Sequence, residues 1–537
     1  MKTIDYKTFI DKVHGCWYGK CLGGAAGAPV EGVKKLIPVK DFTEIFNPDL
    51  PNDDLDIQLL WLDVLENKGT IINSCDLADA WMEKCWYPFS EYGYFTKNYM
   101  RGVKPPYTGI INNDFFQEGM GCPIRSEIWG IISAGNPELA AQYAYIDATL
   151  DHAENSVYAE QFLAAIESMA FFESDIETLL REGMKYIPKD CKLSTCFNLI
   201  LENYQKMSWQ DLRTMVLNRF SHPDFTNVVQ NLAFVFLSLL YGKGDMRETI
   251  NISLQCGFDT DCTCASAASV VGIIKGYEGL GEELTTLIQD YFVIGVDVVR
   301  PSNSIRQLAE DTARLALKTP NFEVEFIGAE ADRPQGKLEL IYPTEQGLKE
   351  AFASLKPLCW EIYGPYFDQL DQPINPDFPS PHGEGCVLPD IVCMVNNEVF
   401  LDRDYPLGEL AGVVKAYEDK IDVDSCLSLE GQIACVAKTK IYAKEEKQVW
   451  AVIGNNDGFR LWCNGEMLLE KDEIRYWTPY NNFTLLPLKK GENEITLKLL
   501  RRTEKLNFTI GFRIYDGGHW HRSRWCTNQK DDDKYYV

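Results

Sequence analysis

The chain has 537 residues, of which 52 are Lys or Arg and 79 are Asp or Glu, giving a formal net charge of −27. That balance excludes non-specific nucleic-acid binding, which needs basic surface to displace counterions, and it disfavours an anionic membrane surface. The 17 cysteines show no Cys-x-x-Cys and no zinc spacing with the six histidines, so buried, reduced thiols are expected. Met1 to Lys7 lacks an apolar signal core, and no run of 18 apolar residues suggests a membrane span, so a cytoplasmic protein is expected. Gly15, Gly19, Gly23 and Gly27 then recur every four residues. Such a ridge lets another helix backbone approach closely. Pro29 stops that helix and delivers Glu31 just beyond it. Glu31 is either functional or an incidental exposed residue after a packing ridge.

The next signal is Asn52-Asp53-Asp54-Leu55-Asp56, followed by apolar residues at 57, 60, 61, 64 and 65 in a helical stripe. Asn52 is a good N-cap, which puts Asp53 and Asp54 at the mouth of a helix. Asn112-Asn113-Asp114 and Ile124-Arg125-Ser126 fall in a loop region. A helix start follows at Asn136-Pro137-Glu138, and Asp151-His152-Ala153-Glu154 precedes an Ala-rich helical stretch, Ser156 to Phe172. Trp209 to Phe220 and Val228 to Tyr241 continue the helical pattern. Gly257-Phe258-Asp259-Thr260-Asp261-Cys262 opens a helix of small residues that Gly276 ends, and Leu280 to Phe292 reads as one more helix.

Composition shifts after Leu317, and residues 328–336 look like a connection. Strand signals follow at Val449 to Ile453, Gly458 to Trp462, Leu485 to Leu488, Ile495 to Leu500 and Leu506 to Tyr515. Asn464-Gly465 is a strong hairpin turn. Short strands with turns between them predict a β-sandwich, and its resemblance to modules of carbohydrate-active enzymes implies a jelly-roll-like form. The expected domains are therefore residues 1–325, all α, and 326–537, β-rich. Trp450, Trp462, Tyr476 and Trp477 are either sandwich-core aromatics or a carbohydrate-binding set. The end, Lys530 to Lys534, reads as a solvated tail.

The two acidic helix mouths carry the chemistry. Residues two apart on an α-helix point ~200° away from each other, so Asp259 and Asp261 converge only in the turn that opens the helix. Carboxylates gathered there repel unless a cation lies between them. Ordinary N-capping explains each mouth alone; two of them suggest helix ends meeting around a hard divalent ion with oxygen ligands. Asp53, Asp54, Asp259, Asp261 and Glu31 are the candidate ligands. Magnesium is the default ion, with manganese and calcium as alternatives.

In this order, the Gly-rich first helix ending in Pro-x-Glu, the Asp-Asp pair and the late Asp-x-Asp before a small-residue helix resemble the ADP-ribosylglycohydrolase family. The resemblance covers roughly residues 8 to 320. It implies an all-α catalytic domain and a metal-dependent hydrolase of an N- or O-glycosidic bond, with a small-molecule or glycan substrate. On it, Glu31 is the candidate general base, joined by Asp54 and by His152, where the family tends to carry a histidine near the metal. The family's loop at Asn112 and Arg125 helps line the cleft. Arg125 is then either a substrate anchor or an internal salt bridge, and His152 either a ligand contact or a helix-start residue. Two departures stand out. Asn52-Asp53-Asp54-Leu55 lacks both threonines of the family's Thr-Asp-Asp-Thr, and Cys262 replaces the last threonine of Asp-x-Asp-Thr. A neutral thiol is a poor ligand for a hard ion. ADP-ribose and a different glycoside both remain open as substrate, and the alternative function is a non-catalytic sugar- or nucleotide-binding protein. The C-terminal sandwich resembles, more loosely, modules of carbohydrate-active enzymes.

Overall fold

Close packing of two helices organises the first part of the chain. The computed structural model describes residues 1–48, 53–369, 397–405, 407–417, 420–427, 431–503, 505–527 and 533–537. These divide into one unit of Met1–Tyr99 with Lys104–Leu348, and another of Met100–Val103 with Lys349–Val537. In the first unit, helix α1 (Tyr6–Gly27) lies antiparallel against a helix spanning Thr260–Lys275. A methyl group at Gly15, Gly19, Gly23 or Gly27 would stand 2.3, 2.4, 2.4 or 2.1 Å from the carbonyl oxygens of Gly272, Ala268, Cys264 and Thr260. No Cβ fits at those distances, so the four-residue glycine period is what allows the backbones to touch. The antiparallel arrangement brings the end of α1 to the start of its partner.

Around this pair, α1 and its partner α5 (Thr260–Lys275), stand α2 (Asp53–Lys68), α3 (Asn155–Ala170) and α4 (Val228–Gly242). Helix α2 is buried beyond its expected stripe: Leu55, Leu59 and Leu62 are buried as well as Ile57, Leu60, Trp61, Val64 and Leu65. The expected helices at 136–144 and 209–220 form as Pro137–Ala148 and Trp209–Phe220. The helix expected over Leu280 to Phe292 does not: a 3₁₀ turn at Glu278–Leu280 and a short helix Glu282–Thr285 take its place. Gly281 sits at φ 83° between them. Beyond them, the Asp290 carboxylate accepts from Ser304 Oγ and the Arg306 amide, capping the helix Ile305–Ala316. Long-range partners therefore claim the segment that local pattern assigned to a helix. Strand β1 (Lys2–Asp5) pairs in parallel with β2 (Val324–Ile327). Among the described residues no helix is long and apolar enough to cross a membrane.

The second unit is an antiparallel β region. Its strands are β3 (Leu358–Tyr366), β4 (Leu410–Ala416), β5 (Ile433–Ala443), β6 (Lys447–Asn455), β7 (Phe459–Cys463), β8 (Glu466–Lys471), β9 (Asn482–Leu488), β10 (Gly491–Arg501) and β11 (Phe508–Ile514). One sheet runs β8-β7-β10-β5-β3-β4 and the other β9-β6-β11. Inward residues of both sheets, among them Trp360, Ile441, Ile453, Leu486, Leu497 and Phe512, share one apolar core. Asn464 and Gly465 turn the β7–β8 hairpin at φ 52° and 86°, the two left-handed positions a two-residue turn requires. Trp450, Trp462 and Trp477 are half-buried and Tyr476 is exposed, and none of the four belongs to the shared core. Residues 530–532 of the expected tail lie outside the described residues.

Candidate active site

The site grows out of the glycine ridge. Past Gly27 the chain makes a 3₁₀ turn over Ala28–Val30. The Gly32 amide then donates to Phe258 O at 2.8 Å, and the Phe258 amide donates to Val33 O at 3.0 Å. This bridge sets Glu31 beside Asp259. Thr260 Oγ1 donates to Gly27 O at 2.8 Å and closes the joint. Thr260 thus shapes the turn. Asp259 occupies the N-cap position of α5, yet its carboxylate makes no capping bond. Its amide donates instead to Asn231 Oδ1 of α4 at 3.2 Å. Ordinary capping therefore does not account for Asp259.

Two groups of potential ligands meet here. Glu31, Asp259 and Asp261 each bring an oxygen within 4.8 Å of the others, and Asp54, Asp261 and Cys262 do the same with two carboxylates and a thiol. Asp261 belongs to both. Glu31 is exposed, while Asp54, Asp259 and Asp261 are buried. Asp53 opens α2, but its side chain, like Asn52 as a whole, lies outside the described residues. Burial holds the Asp259 carboxyl well above the usual carboxylate range; Asp261, Glu31 and Asp54 push it the same way, against a hydrogen bond with Cys262. Like charges so placed favour either a shared proton or a cation.

The donor chemistry separates the two groups. Glu31, Asp259 and Asp261 offer only hard oxygens and fit magnesium, manganese or calcium. At the other group, Cys262 Sγ donates to Asp54 Oδ1 at 3.4 Å, and Lys20 Nζ stands 3.5 Å from Asp54 Oδ2 and 3.0 Å from Glu127 Oε1. That group fits a hard cation poorly.

A family model described as ADP-ribosylglycohydrolase matches residues 5–321. The chain belongs to the ADP-ribosylglycohydrolase family. Members of this family are typically hydrolases. Among solved structures the chain is similar to an ADP-ribosylglycohydrolase-related protein complex, at 19% identity and a TM-score of 0.42, over 58% of this chain and 98% of that one. It is also similar to a PA14 domain of an antifreeze protein (14% identity, TM-score 0.19, 32% of this chain and 92% of that one). A PA14 sugar-binding domain from an RTX adhesin gives 11% identity and a TM-score of 0.19, over 32% of this chain and 98% of that one. No curated protein matches.

Elsewhere in this family member a second charged network is fully buried. Arg125 Nη1 and Nη2 donate to the two oxygens of Asp151 at 2.8 and 3.0 Å, and Nη2 lies 2.7 Å from Asp147 Oδ1. Its guanidinium faces the Trp81 ring at 5.4 Å. Of the two readings of Arg125, the geometry is that of the internal salt bridge: with 0% exposure it offers nothing to a substrate. His152 Nδ1 is 2.7 Å from Asp151 Oδ1, and Nε2 is 3.5 Å from Glu91 Oε1. Burial pulls the His152 pKa down, but Asp151 and Glu91 outweigh it and raise it to about 9. The ring is therefore an imidazolium at neutral pH. Asn112 is half-buried, in a left-handed turn at φ 63°. Its neighbour Asn113 makes the structural bonds, donating through Nδ2 to Gly109 O and Asp151 O at 2.9 and 2.8 Å. A cavity of about 650 Å³ adjoins this network, lined by His152, Tyr145, Tyr158, Tyr186 and Tyr342 among others.

Sequence reasoning missed Lys20, Glu91 and Glu127. Signals for two of them exist. Lys20 interrupts a glycine ridge that must be buried, and Glu127 opens directly onto the apolar run Ile128 to Ile132. A charge inside a segment that has to be buried signals a buried partner.

Proposed function

We propose that this chain is a metal-dependent hydrolase that cleaves an N- or O-glycosidic bond in a small-molecule or glycan substrate. The observation that carries the reading is the convergence of Glu31, Asp259 and Asp261 at the junction of α1 and α5. Cleavage at an anomeric carbon develops oxocarbenium character, and carboxylates beside the ring stabilise that charge. A divalent cation at this triad would polarise sugar hydroxyls and orient water; magnesium is the first candidate, and the oxygen donors suit manganese or calcium as well. Glu31 is the one exposed carboxylate of the triad. As general base it accepts a proton from the attacking water. Asp54, paired with Lys20, supplies negative field rather than proton transfer. His152, through Glu91, and the Asn112 turn frame the substrate. The missing threonines and Cys262 favour a glycoside other than ADP-ribose. The described cysteines are all free thiols, which supports a reducing, cytoplasmic setting.

The test is a product screen of ADP-ribose derivatives and plain glycosides with magnesium present. Metal-dependent turnover is expected on one of them, falling roughly 10²–10⁴-fold in Glu31→Gln. Wild-type rates in Glu31→Gln would remove Glu31 from the mechanism. Saturable binding without product from any compound would make the chain a sugar- or nucleotide-binding protein instead.

A further inference from the structure

Two adjacent ligand groups sharing Asp261 raise the question of how many cations the site takes. The answer turns on Lys20. This residue sits on α1 between Gly19 and Cys21, on the helix whose glycine ridge presses it against α5, and its side chain is fully buried. Its ammonium donates to Ile124 O at 2.8 Å and stands 3.0 Å from Glu127 Oε1 and 3.5 Å from Asp54 Oδ2. Two buried carboxylates and a carbonyl thus surround one buried ammonium. Glu127 is itself held, accepting from Ser269 Oγ of α5 at 3.0 Å and from Gln58 Nε2 of α2 at 2.8 Å. The frame around the ammonium thus joins α1, α2 and α5, the helices whose ends form the site, to the segment 123–132.

Cys262 adds an independent observation. Where the family motif has a threonine, Cys262 places its Sγ 3.4 Å from Asp54 Oδ1, and sulfur is a poor ligand for a hard ion. Asp54 thus faces the Lys20 ammonium through Oδ2 and the Cys262 sulfur through Oδ1. A dication placed at Asp54 would meet the Lys20 charge at close range in a desolvated setting, where like charges repel strongly.

We propose that the site binds a single divalent cation, at Glu31, Asp259 and Asp261, and that the Lys20 ammonium supplies beside Asp54 the positive charge a second cation would bring. This deepens the metal-dependent reading above and rests on it. Lys20 is a positioning residue: it neutralises Asp54 and leaves Asp261 to the one ion. The arrangement gives a built-in charge that no chelator removes and no metal concentration exchanges.

The experiment uses the full chain stripped of metal and titrated with manganese, with stoichiometry read by calorimetry and by metal analysis. Electron paramagnetic resonance separates an isolated ion from a spin-coupled pair. The wild type should bind one ion with an uncoupled spectrum. Cys262→Thr, which restores a hydroxyl ligand but keeps Lys20, should still bind one. Lys20→Met combined with Cys262→Thr should bind two and show coupling. Two ions in the wild type, or a second ion in Cys262→Thr alone, would overturn the role of Lys20 while leaving a metal-dependent hydrolase standing. No ion in the wild type would overturn both. A folded Lys20→Met, Cys262→Thr variant that still binds one ion would also overturn the role of Lys20, and if that variant does not fold, a second ion in the wild type or in Cys262→Thr remains the result that refutes it.

Discussion

The helical and β units bury charge in different ways. In the helical unit Lys20, Asp54, Glu127, Arg125, Asp147, Asp151 and His152 are all buried, and they pair with one another. In the β unit the buried cations meet carbonyls and aromatic rings instead: Lys498 donates to Phe400 O and Leu401 O, the Arg513 guanidinium lies over the Trp525 ring, and pairs such as Lys440–Glu492 stay at the surface, at 59% and 48% side-chain exposure. Desolvating an ion pair costs more than the pair returns unless the geometry is good. The helical unit carries that cost in two networks, one at the joint between helix ends and one around Arg125. The β unit packs its strands on an apolar core and holds its buried cations Lys498 and Arg513 by carbonyls and rings. The difference teaches where to look for chemistry: a fold accepts this density of buried charge where charge is positioned for use.

The largest expected effect tests that contrast directly. Arg125→Met should destabilise the helical unit by about 3–5 kcal/mol, because it leaves Asp147 and Asp151 buried without their partner. Lys440→Met in the β unit should leave stability close to that of the wild type, because the pair is solvent-screened. Urea unfolding of both variants checks the pair, and equal effects would break the comparison.

His152 sharpens it through pH. Its folded-state pKa is raised from 6.5 to about 9, so its contribution is present in full below pH 6.5 and is lost as pH rises through 9. The contribution is of order 3 kcal/mol. His152→Gln should therefore flatten the fall in unfolding free energy between those pH values. An unchanged slope would mean that His152 is neutral when folded.

Gly23→Ala should cost about 1–3 kcal/mol by overpacking, since its methyl would stand 2.4 Å from Cys264 O. Gly465→Ala meets nothing within 4 Å but holds φ 86°, and should cost about 1 kcal/mol for its left-handed backbone. Thermal unfolding should rank the two in that order, and the reverse ranking would show that the ridge can yield. The smallest change is expected for Tyr476→Ala, which removes a 66% exposed ring and should shift stability by about 0.5 kcal/mol or less.

Much of this molecule is written locally. The Trp209–Phe220 helix, the Asn464-Gly465 hairpin, the glycine period and the acidic turn at Asp259 each depend on neighbours a few residues away, so spacing and turn chemistry reveal them. The same glycine period, read with the two Asp motifs, already points to helix ends meeting at Glu31. Tertiary structure decided what depends on partners far along the chain. It turned Leu280 to Phe292 from a helix into short turns, because Asp290 caps a later helix and Gly281 breaks the run. It enclosed Arg125 between Asp147 and Asp151. It placed Lys20 against Asp54 and Glu127, 34 and 107 positions away. A sequence announces a charge that must be buried, but not which distant charge will meet it, because that choice is made by the packing of whole helices.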